Sequence, residues 1–182
     1  PKIKQKFDEL KAKREEIAAA QDKEKEESKY TKEYALFYLK LGQPIISING
    51  EKSTGQSTSF GHRRYAQTFV YGGEVNILNK EDLISTTNFN FIMGYQPVWS
   101  HRFTPYFLGY IGNSQAKYTM PTTSKNIRSN GYVTGADIGF NIKVLLPIHF
   151  MGGMRYEKYN YSKKEINSMS NQEFYFLLGY EF

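Results

Sequence analysis

The stretch at residues 171–182, NQEFYFLLGYEF, decides the fold of this 182-residue chain. One set of alternate residues is wholly apolar: Phe174, Phe176, Leu178, Tyr180 and Phe182. The other set is mixed: Glu173, Tyr175, Leu177, Gly179 and Glu181. A period of two is typical of a β-strand whose two faces meet different surroundings. The stretch therefore predicts a strand with one apolar face and one mixed face.

The same alternation recurs upstream at residues 35–41, 65–77, 87–96, 106–111, 132–144 and 148–156. Several of these segments keep phase far beyond the roughly 5–6 residues of an ordinary soluble strand. They match the roughly 9–11 residues that a tilted membrane-spanning strand needs. Mean hydropathy is only −0.59, and the sequence contains no apolar run long enough for a spanning helix. The pattern thus favours a transmembrane β-barrel with its apolar face towards lipid.

The mixed face combines glycines with ionisable residues. We predict that five of these form a network in a narrow lumen: Glu74, Asp137, Lys143, Arg155 and Glu157. The interior of an eight-stranded barrel is only just wide enough to be filled by side chains. A side-chain network that plugs the barrel is therefore expected, and an open pore is not.

Aromatic residues crowd the ends of the segments. Rings at both membrane interfaces are typical of membrane barrels. This placement predicts four interface aromatics, Trp99, Tyr106, Tyr156 and Tyr159. Polar linkers at residues 49–64, 120–130 and 163–170 are predicted to be longer loops on one side, with short turns at 96–105 and 145–148 on the other.

The clear segments give an odd number of strands. Seven segments are clear, whereas bacterial single-chain barrels normally have an even number of strands. We expect eight strands, with the eighth in residues 44–60 or 74–85. The alternative is that the chain is the C-terminal part of a longer surface protein. A seven-stranded barrel would also place residues 1–30 and the C-terminus on opposite sides of the membrane.

Residues 1–30 have a different composition, with nine Lys or Arg, eight Asp or Glu and no Gly. Strong helix formers and charges at helical spacing predict a charged α-helix, either periplasmic or part of a stalk. Ile3, Phe7, Leu10 and Ile17 form a heptad seam that fades after two heptads. A solvated helix with one apolar stripe for a partner is favoured over a true coiled coil.

The ending QEFYFLLGYEF resembles the C-terminal strand of bacterial outer-membrane β-barrel proteins. Residues 89–112, a strand, a short turn and PYFLGY, resemble the central hairpin of small barrels of the OmpX, OmpW and opacity type. The resemblance implies an all-β antiparallel transmembrane barrel over residues 31–182 in a Gram-negative outer membrane. It implies the lipid bilayer, lipopolysaccharide and the barrel assembly machinery as partners. The assembly signal would be Phe174, Phe176, Tyr180 and Phe182.

Catalytic chemistry is sparse in the sequence. His62 lies close in sequence to Ser57, Ser59, Arg63 and Arg64, but a solvated loop is favoured over a catalytic site. His101 is interpreted as an interface anchor and His149 as a hydrogen-bonded lumen residue. The chain has no Cys, and it contains no phosphate loop or metal-ligand motif.

These features predict no catalytic residues, no cofactor, no metal and no nucleic-acid partner, despite a net charge of +6. A structural or surface-interaction role is favoured. The membrane anchor of a larger surface adhesin comes next, and a lipid-A-modifying enzyme is less favoured.

Overall fold

The computed structural model describes residues 13–14, 33–97, 103–120, 125–145, 147–166 and 168–182. The chain divides into two units, Pro1–Lys32 and Glu33–Phe182. In the first unit only Lys13 and Arg14 are described, and both are helical. The rest of the predicted helix, with its heptad seam, lies outside the described residues.

The second unit is a single antiparallel sheet. Its strands are β1 (Tyr34–Ile48), β2 (Glu51–Thr54), β3 (Gln56–Ala66), β4 (Phe69–Lys80), β5 (Ile84–Tyr95), β6 (Phe103–Thr119), β7 (Asn126–Leu145), β8 (Ile148–Tyr161) and β9 (Met169–Glu181). Each strand pairs with its neighbour in sequence around the sheet, and β1 also pairs with β9. The sheet is therefore closed into a barrel with no free edge.

The barrel has eight strands around its circumference, because β2 and β3 act as one strand. Both pair with β1 in one continuous register, and only Gly55 separates them. The Gly55 N–H donates to the carbonyl of Pro44 at 2.9 Å, but Pro44 has no N–H to return a bond. The expected even count is confirmed, and the eighth strand, formed by β2 and β3, overlaps the first of its two predicted locations, residues 44–60.

Two sequence-based predictions were wrong in this region. The predicted loop at 49–64 is a two-residue turn at Asn49 and Gly50, both with positive φ, followed by strand. The predicted strand at 65–77 is two strands joined by a turn at Gln67, which also has positive φ. The apolar alternation bridged the turn in the sequence because Tyr65 and Phe69 are an even number of residues apart, but Tyr65 is buried in the lumen and Phe69 is exposed on the outer wall.

The even strand count brings both ends of the barrel chain to one rim. The N–H of Phe182 donates to the carbonyl of Ala35 at 3.1 Å. We call this end, with Phe182 and the turn at Gln67, the C-terminal rim. The opposite end, with the turns at Asn49 and Asp82 and the 3-10 turn Lys164–Ile166, is the distal rim.

The barrel is apolar outside and mixed inside. Alternate residues of β9 are exposed on the outer face, among them Phe174 (60%) and Phe176 (82%), while Tyr175 and Leu177 between them are buried. The same pattern of exposed apolar residues extends around the sheet, where rings and aliphatic chains form a belt on the outer face, including Phe37, Phe60, Phe91, Phe107, Phe140 and Phe150.

Among the described residues, no helix is long and apolar enough to cross a membrane.

Candidate functional site: the lumen of the barrel

The lumen is layered along the barrel axis. On β1 the inward residues run from Leu36 and Tyr38 through Lys40 to Ile46 and Ile48. β4 and β5 follow the same order, with apolar residues at each end and polar residues between them, whereas the inward residues of β7, β8 and β9 end in polar side chains at the C-terminal rim. The polar layer is thus closed off by apolar side chains on both sides.

Two apolar clusters form these closures. The cluster at the C-terminal rim contains Leu36, Tyr38, Tyr65, Val70, Ile92, Tyr106, Leu108, Tyr110, Met151, Tyr175 and Leu177. The cluster at the distal rim contains Ile46, Ile48, Leu78, Ile84, Ala116, Val133, Tyr159, Tyr161, Ile166 and Met169. All of these side chains are buried, so they fill the two ends of the lumen rather than line a channel.

Arg155 is the centre of the polar layer. Its guanidinium binds Glu74 through both terminal nitrogens, one of them at 3.0 Å. It also lies 3.4 Å from Asp137 and 3.6 Å from Glu157. All four side chains are at most 1% exposed. Charges this deeply buried are tolerated only when paired and hydrogen-bonded, so the group behaves as one unit.

Hydroxyl groups complete the partners of these carboxylates. Tyr38 donates to Glu74 at 2.8 Å, and Tyr175 donates to Asp137. Tyr159 donates to the carboxylate of Glu157. Hydrogen bonds to a buried carboxylate offset part of its desolvation cost.

A second ion pair joins β1 to β9. Lys40 lies 3.0 Å from Glu173, and both side chains are fully buried. The hydroxyl of Ser57 on β3 also donates to Glu173. The pair therefore ties together the two strands that close the barrel.

Arg63 is held mainly by aromatic rings. Its guanidinium carbon lies 4.6 Å from the centre of the Tyr38 ring and 5.5 Å from that of Tyr106. Its nearest carboxylate is Asp137, at 3.8 Å. Stacking on ring faces suits the weakly hydrated guanidinium, which explains why a buried arginine is tolerated here.

Lumen tyrosines lie over glycines of the neighbouring strand. Four such pairs are directly opposite in register: Tyr38 with Gly61, Tyr106 with Gly139, Tyr110 with Gly135 and Tyr175 with Gly153. In each pair, a Cβ built on the glycine would lie no more than 3.0 Å from the tyrosine ring or its hydroxyl. The glycines therefore make room for the rings that fill the lumen, a form of aromatic cover over strand glycines.

The structure brings four of the five predicted network residues together, namely Glu74, Asp137, Arg155 and Glu157. Lys143 faces the lumen but lies elsewhere, where its ammonium pairs with Glu181 at 2.9 Å. His149, also in the lumen, contacts the same carboxylate at 2.8 Å and Asn141 at 3.2 Å. Lys143 therefore belongs to a smaller polar group near the C-terminal rim.

Sequence reasoning missed Lys40 and Arg63 as members of the lumen network. Lys40 has the correct phase on β1, so alternation alone could have placed it inside. Arg63 lies in a region that was predicted to be a loop. The signal that could have recovered it is its alternation with His62 and Arg64, which face outwards.

Two of the predicted interface aromatics were wrong. Tyr106 and Tyr159 are 4% and 0% exposed and point into the lumen. Both occur in stretches where rings are found on either face, so hydrophobicity could not determine the phase. Tyr156 is 52% exposed on the outer face, while Trp99 lies outside the described residues, as does His101.

The possible catalytic group around His62 is not assembled. His62 lies on strand β3 and faces outwards, with its ring 5.1 Å from that of Phe37 and 6.2 Å from that of Phe182. Ser57 and Ser59 are buried on the opposite face of the same strand. A strand separates alternate side chains onto opposite faces, so this histidine cannot act as a base for either serine.

The residues of the predicted assembly signal share one surface. Phe174, Phe176, Tyr180 and Phe182 are all exposed on the outer wall of β9 or just beyond its end. Phe182 stacks on Phe37 of β1, with ring centres 4.7 Å apart. They form an apolar stripe at the closing seam, and their role in assembly stays a prediction.

Comparison with known proteins gives a clear result at the level of structure alone. No family model matches the sequence. No curated protein matches it either. The structure is similar to Neisserial surface protein A, with a TM-score of 0.71 and 10% identity over 81% of this chain and 97% of that one. The fold is that of the small eight-stranded outer-membrane barrels.

Two further solved structures agree with this fold. Ail, the attachment invasion locus protein of Yersinia pestis, has a TM-score of 0.53 and 15% identity over 82% of this chain and 98% of that one. A de novo designed transmembrane β-barrel has a TM-score of 0.52 and 13% identity over 82% and 95%. Together with the apolar belt, these similarities show that the chain has the architecture of an outer-membrane β-barrel.

Proposed function

We propose that this outer-membrane barrel is a non-conducting surface protein whose interactions with other molecules take place at its rims and outer wall. The C-terminal rim would face the periplasm, where the stripe of Phe174, Phe176, Tyr180 and Phe182 is read by the barrel assembly machinery. The distal rim would then face outwards. Residues 1–30 would form a charged helix on the periplasmic side, with a partner for its apolar stripe.

The filled lumen is the observation that carries this proposal. Passage through the barrel would require breaking the contacts of Arg155 with Glu74, Asp137 and Glu157, together with both apolar closures. Separating these groups would leave buried charges without a partner, which is strongly unfavourable, so such a path should open rarely. A transport function therefore has no support in the lumen.

We further propose that the protein is not an enzyme. The sequence neighbourhood considered as a catalytic group was that of His62, with Ser57 and Ser59. Its side chain points away from Ser57 and Ser59, towards lipid. We therefore expect His62→Ala to leave the lipid-A composition of the outer membrane unchanged, as measured by mass spectrometry.

Conductance tests the proposal directly. The protein would be refolded in planar bilayers, and its insertion would be verified by resistance of the folded form to unheated SDS. We expect no uniform current steps, while a porin inserted in the same membrane reports that the assay is sensitive. Stable steps of one size from the folded wild-type barrel would contradict the proposal.

A further inference from the structure

The polar layer of the lumen has an excess of negative charge. Among the described residues it contains four buried carboxylates and three buried cations: Glu74, Asp137, Glu157 and Glu173 against Lys40, Arg63 and Arg155. His149 lies eight positions along β8 from Glu157, in the smaller polar group where Lys143 and Glu181 balance each other. The described part of the layer therefore has one negative charge too many, which is strongly unfavourable in a closed lumen.

Glu157 is the carboxylate with the weakest cationic partner. Each of the other three has a cation within 3.4 Å of its oxygens. Glu157 has only Arg155, whose Nη1 lies 3.6 Å from Oε1 and donates its hydrogen bond to Glu74 instead. Oε1 of Glu157 is buried and accepts no hydrogen bond from the described residues. Glu157 therefore carries the excess charge.

Asn171 provides a second buried oxygen at the same place. It lies on β9, directly opposite Glu157 on β8 in the strand register, and its Nδ2 donates to Glu157 Oε2 at 2.9 Å. Its Oδ1 is also buried and accepts no hydrogen bond from the described residues. Two side chains in contact thus present one acceptor each, Oε1 and Oδ1, without a donor. A buried acceptor in this state is costly.

A monovalent cation satisfies both features, whereas water satisfies only one. A water molecule can donate to Oε1 and Oδ1, but it leaves the negative charge in place. Carboxylate and amide oxygens are the ligands that hard cations prefer. A divalent ion brings one charge too many. In the part of the chain that the structure describes, no three His, Cys, Asp or Glu side chains form a group that could hold a metal ion.

We propose that the lumen binds one monovalent cation, such as sodium, through Glu157 Oε1 and Asn171 Oδ1. Tyr159 and the Asn171 amide nitrogen both donate to Glu157 Oε2, so the carboxylate is held with Oε1 available to the ion. The ion restores the charge balance of the layer and shares Glu157 with Arg155. The sequence predicted no metal, because the two ligands lie on different strands and belong to no metal-binding motif.

This ion is part of the folded barrel and is not transported. The apolar clusters at the two rims lie on either side of the polar layer, and Tyr159 itself belongs to the distal one. The unfolded chain does not bring Glu157 and Asn171 together on paired strands. Binding of the ion to the folded state alone therefore adds to the free energy of unfolding.

The test is urea unfolding of the whole chain in vesicles of zwitterionic lipid, with sodium replacing N-methylglucamine at constant ionic strength and pH. For the wild type, each tenfold rise in sodium above its dissociation constant should lower the unfolding equilibrium constant about tenfold. Glu157→Gln keeps the shape of the side chain and removes the charge, so the same rise should change its unfolding constant less than about twofold. The control Glu51→Gln removes an exposed carboxylate and should respond to sodium as the wild type does.

Asn171→Leu gives a second check that leaves the charge of Glu157 in place. Loss of the amide oxygen should raise the sodium dissociation constant roughly tenfold or more. Resistance to unheated SDS shows that each variant is folded, and the sodium response is read separately from any loss of stability.

Three results would overturn the proposal. The first is wild-type unfolding that does not depend on sodium, since water would then satisfy the two oxygens. The second is an unchanged sodium response in Glu157→Gln. The third is an infrared band of a protonated carboxylic acid in the folded wild type that Glu157→Gln removes, because a proton would then supply the missing positive charge.

Discussion

Arg155 on β8 and Glu74 on β4 join two strands that are not neighbours in the sheet, through two hydrogen bonds across the lumen. Sheet hydrogen bonds hold only adjacent strands together. This pair therefore cross-links opposite walls of the barrel. It lies in a polar layer that has an apolar cluster on each side along the barrel axis.

Breaking the ion pair between Arg155 and Glu74 should strongly destabilise the barrel. Glu74→Gln leaves Arg155 without its best partner in a buried site, and we expect a loss of roughly 3–5 kcal/mol in the free energy of unfolding. Urea titration in lipid vesicles measures it. Glu51→Gln on the exposed distal rim is the control, with an expected change within about 0.5 kcal/mol. Equal losses in the two variants would show that the buried pair has no special weight.

Two consecutive glycines of β8 should respond differently to an added methyl group. A Cβ on Gly153 would lie 2.6 Å from the carbonyl oxygen of Ile138 and 2.7 Å from the Tyr175 hydroxyl, whereas one on Gly152 would meet nothing closer than 3.7 Å. Gly153→Ala should therefore destabilise by roughly 1–3 kcal/mol, the usual cost of overpacking. Gly152→Ala should be tolerated. Unfolding in vesicles compares them, and the reverse order would contradict the tyrosine–glycine packing.

How far the sequence predicts this structure depends on what each residue faces. The belt was predictable at β9, because Phe174, Phe176 and Leu178 are apolar and the residues between them include Glu173. It was not predictable at Tyr106, where both faces carry aromatic rings and only the opposing Gly139 distinguishes the lumen. A glycine directly opposite a tyrosine on the neighbouring strand therefore predicts that the tyrosine faces the lumen better than the hydrophobicity of the residue does.

The network itself was only partly predictable. Alternation placed Asp137 and Arg155 on the inner face, but it carries no information on distance around the barrel. Lys143 shares that face but lies six positions further along β7 than Asp137, near the C-terminal rim with Glu181, so its separation from the network along the strand could have been read from the sequence. Arg63 was lost because the polar residues of β3 were interpreted as a loop.

Lipid-facing and lumen-facing positions of β7 should differ in their tolerance of charge. Phe140→Arg places a cation on the outer belt and should destabilise by roughly 2–4 kcal/mol if the site is near the bilayer midplane. Asn141→Ser keeps a polar group in the lumen beside His149 and should cost much less. Both are measured by urea unfolding in vesicles. A larger penalty at Asn141 would mean that the faces are reversed.

Assembly should depend on the last aromatic residue. Phe182→Ala removes a ring that stacks on Phe37 at the closing seam, and we expect less folded protein in the outer membrane of cells. Phe103→Ala is the control, since Phe103 is also an exposed belt residue, at 43%. Heat-modifiability on gels separates folded from unfolded chains. If both variants lower the folded fraction equally, loss of an apolar ring explains the effect and the assembly signal does not.

Alternate residues of the barrel strands face lipid and a filled lumen, and β5 allows the sharpest test because Ile92 is apolar yet buried, whereas Phe91 and Met93 on either side of it are exposed. The chain has no native cysteine, so single cysteines at these three positions can each carry a fluorophore. Quenching by brominated lipid acyl chains then reports contact with the bilayer. We expect strong quenching at positions 91 and 93 and little at position 92. Equal quenching at all three positions, or strongest quenching at position 92, would contradict it.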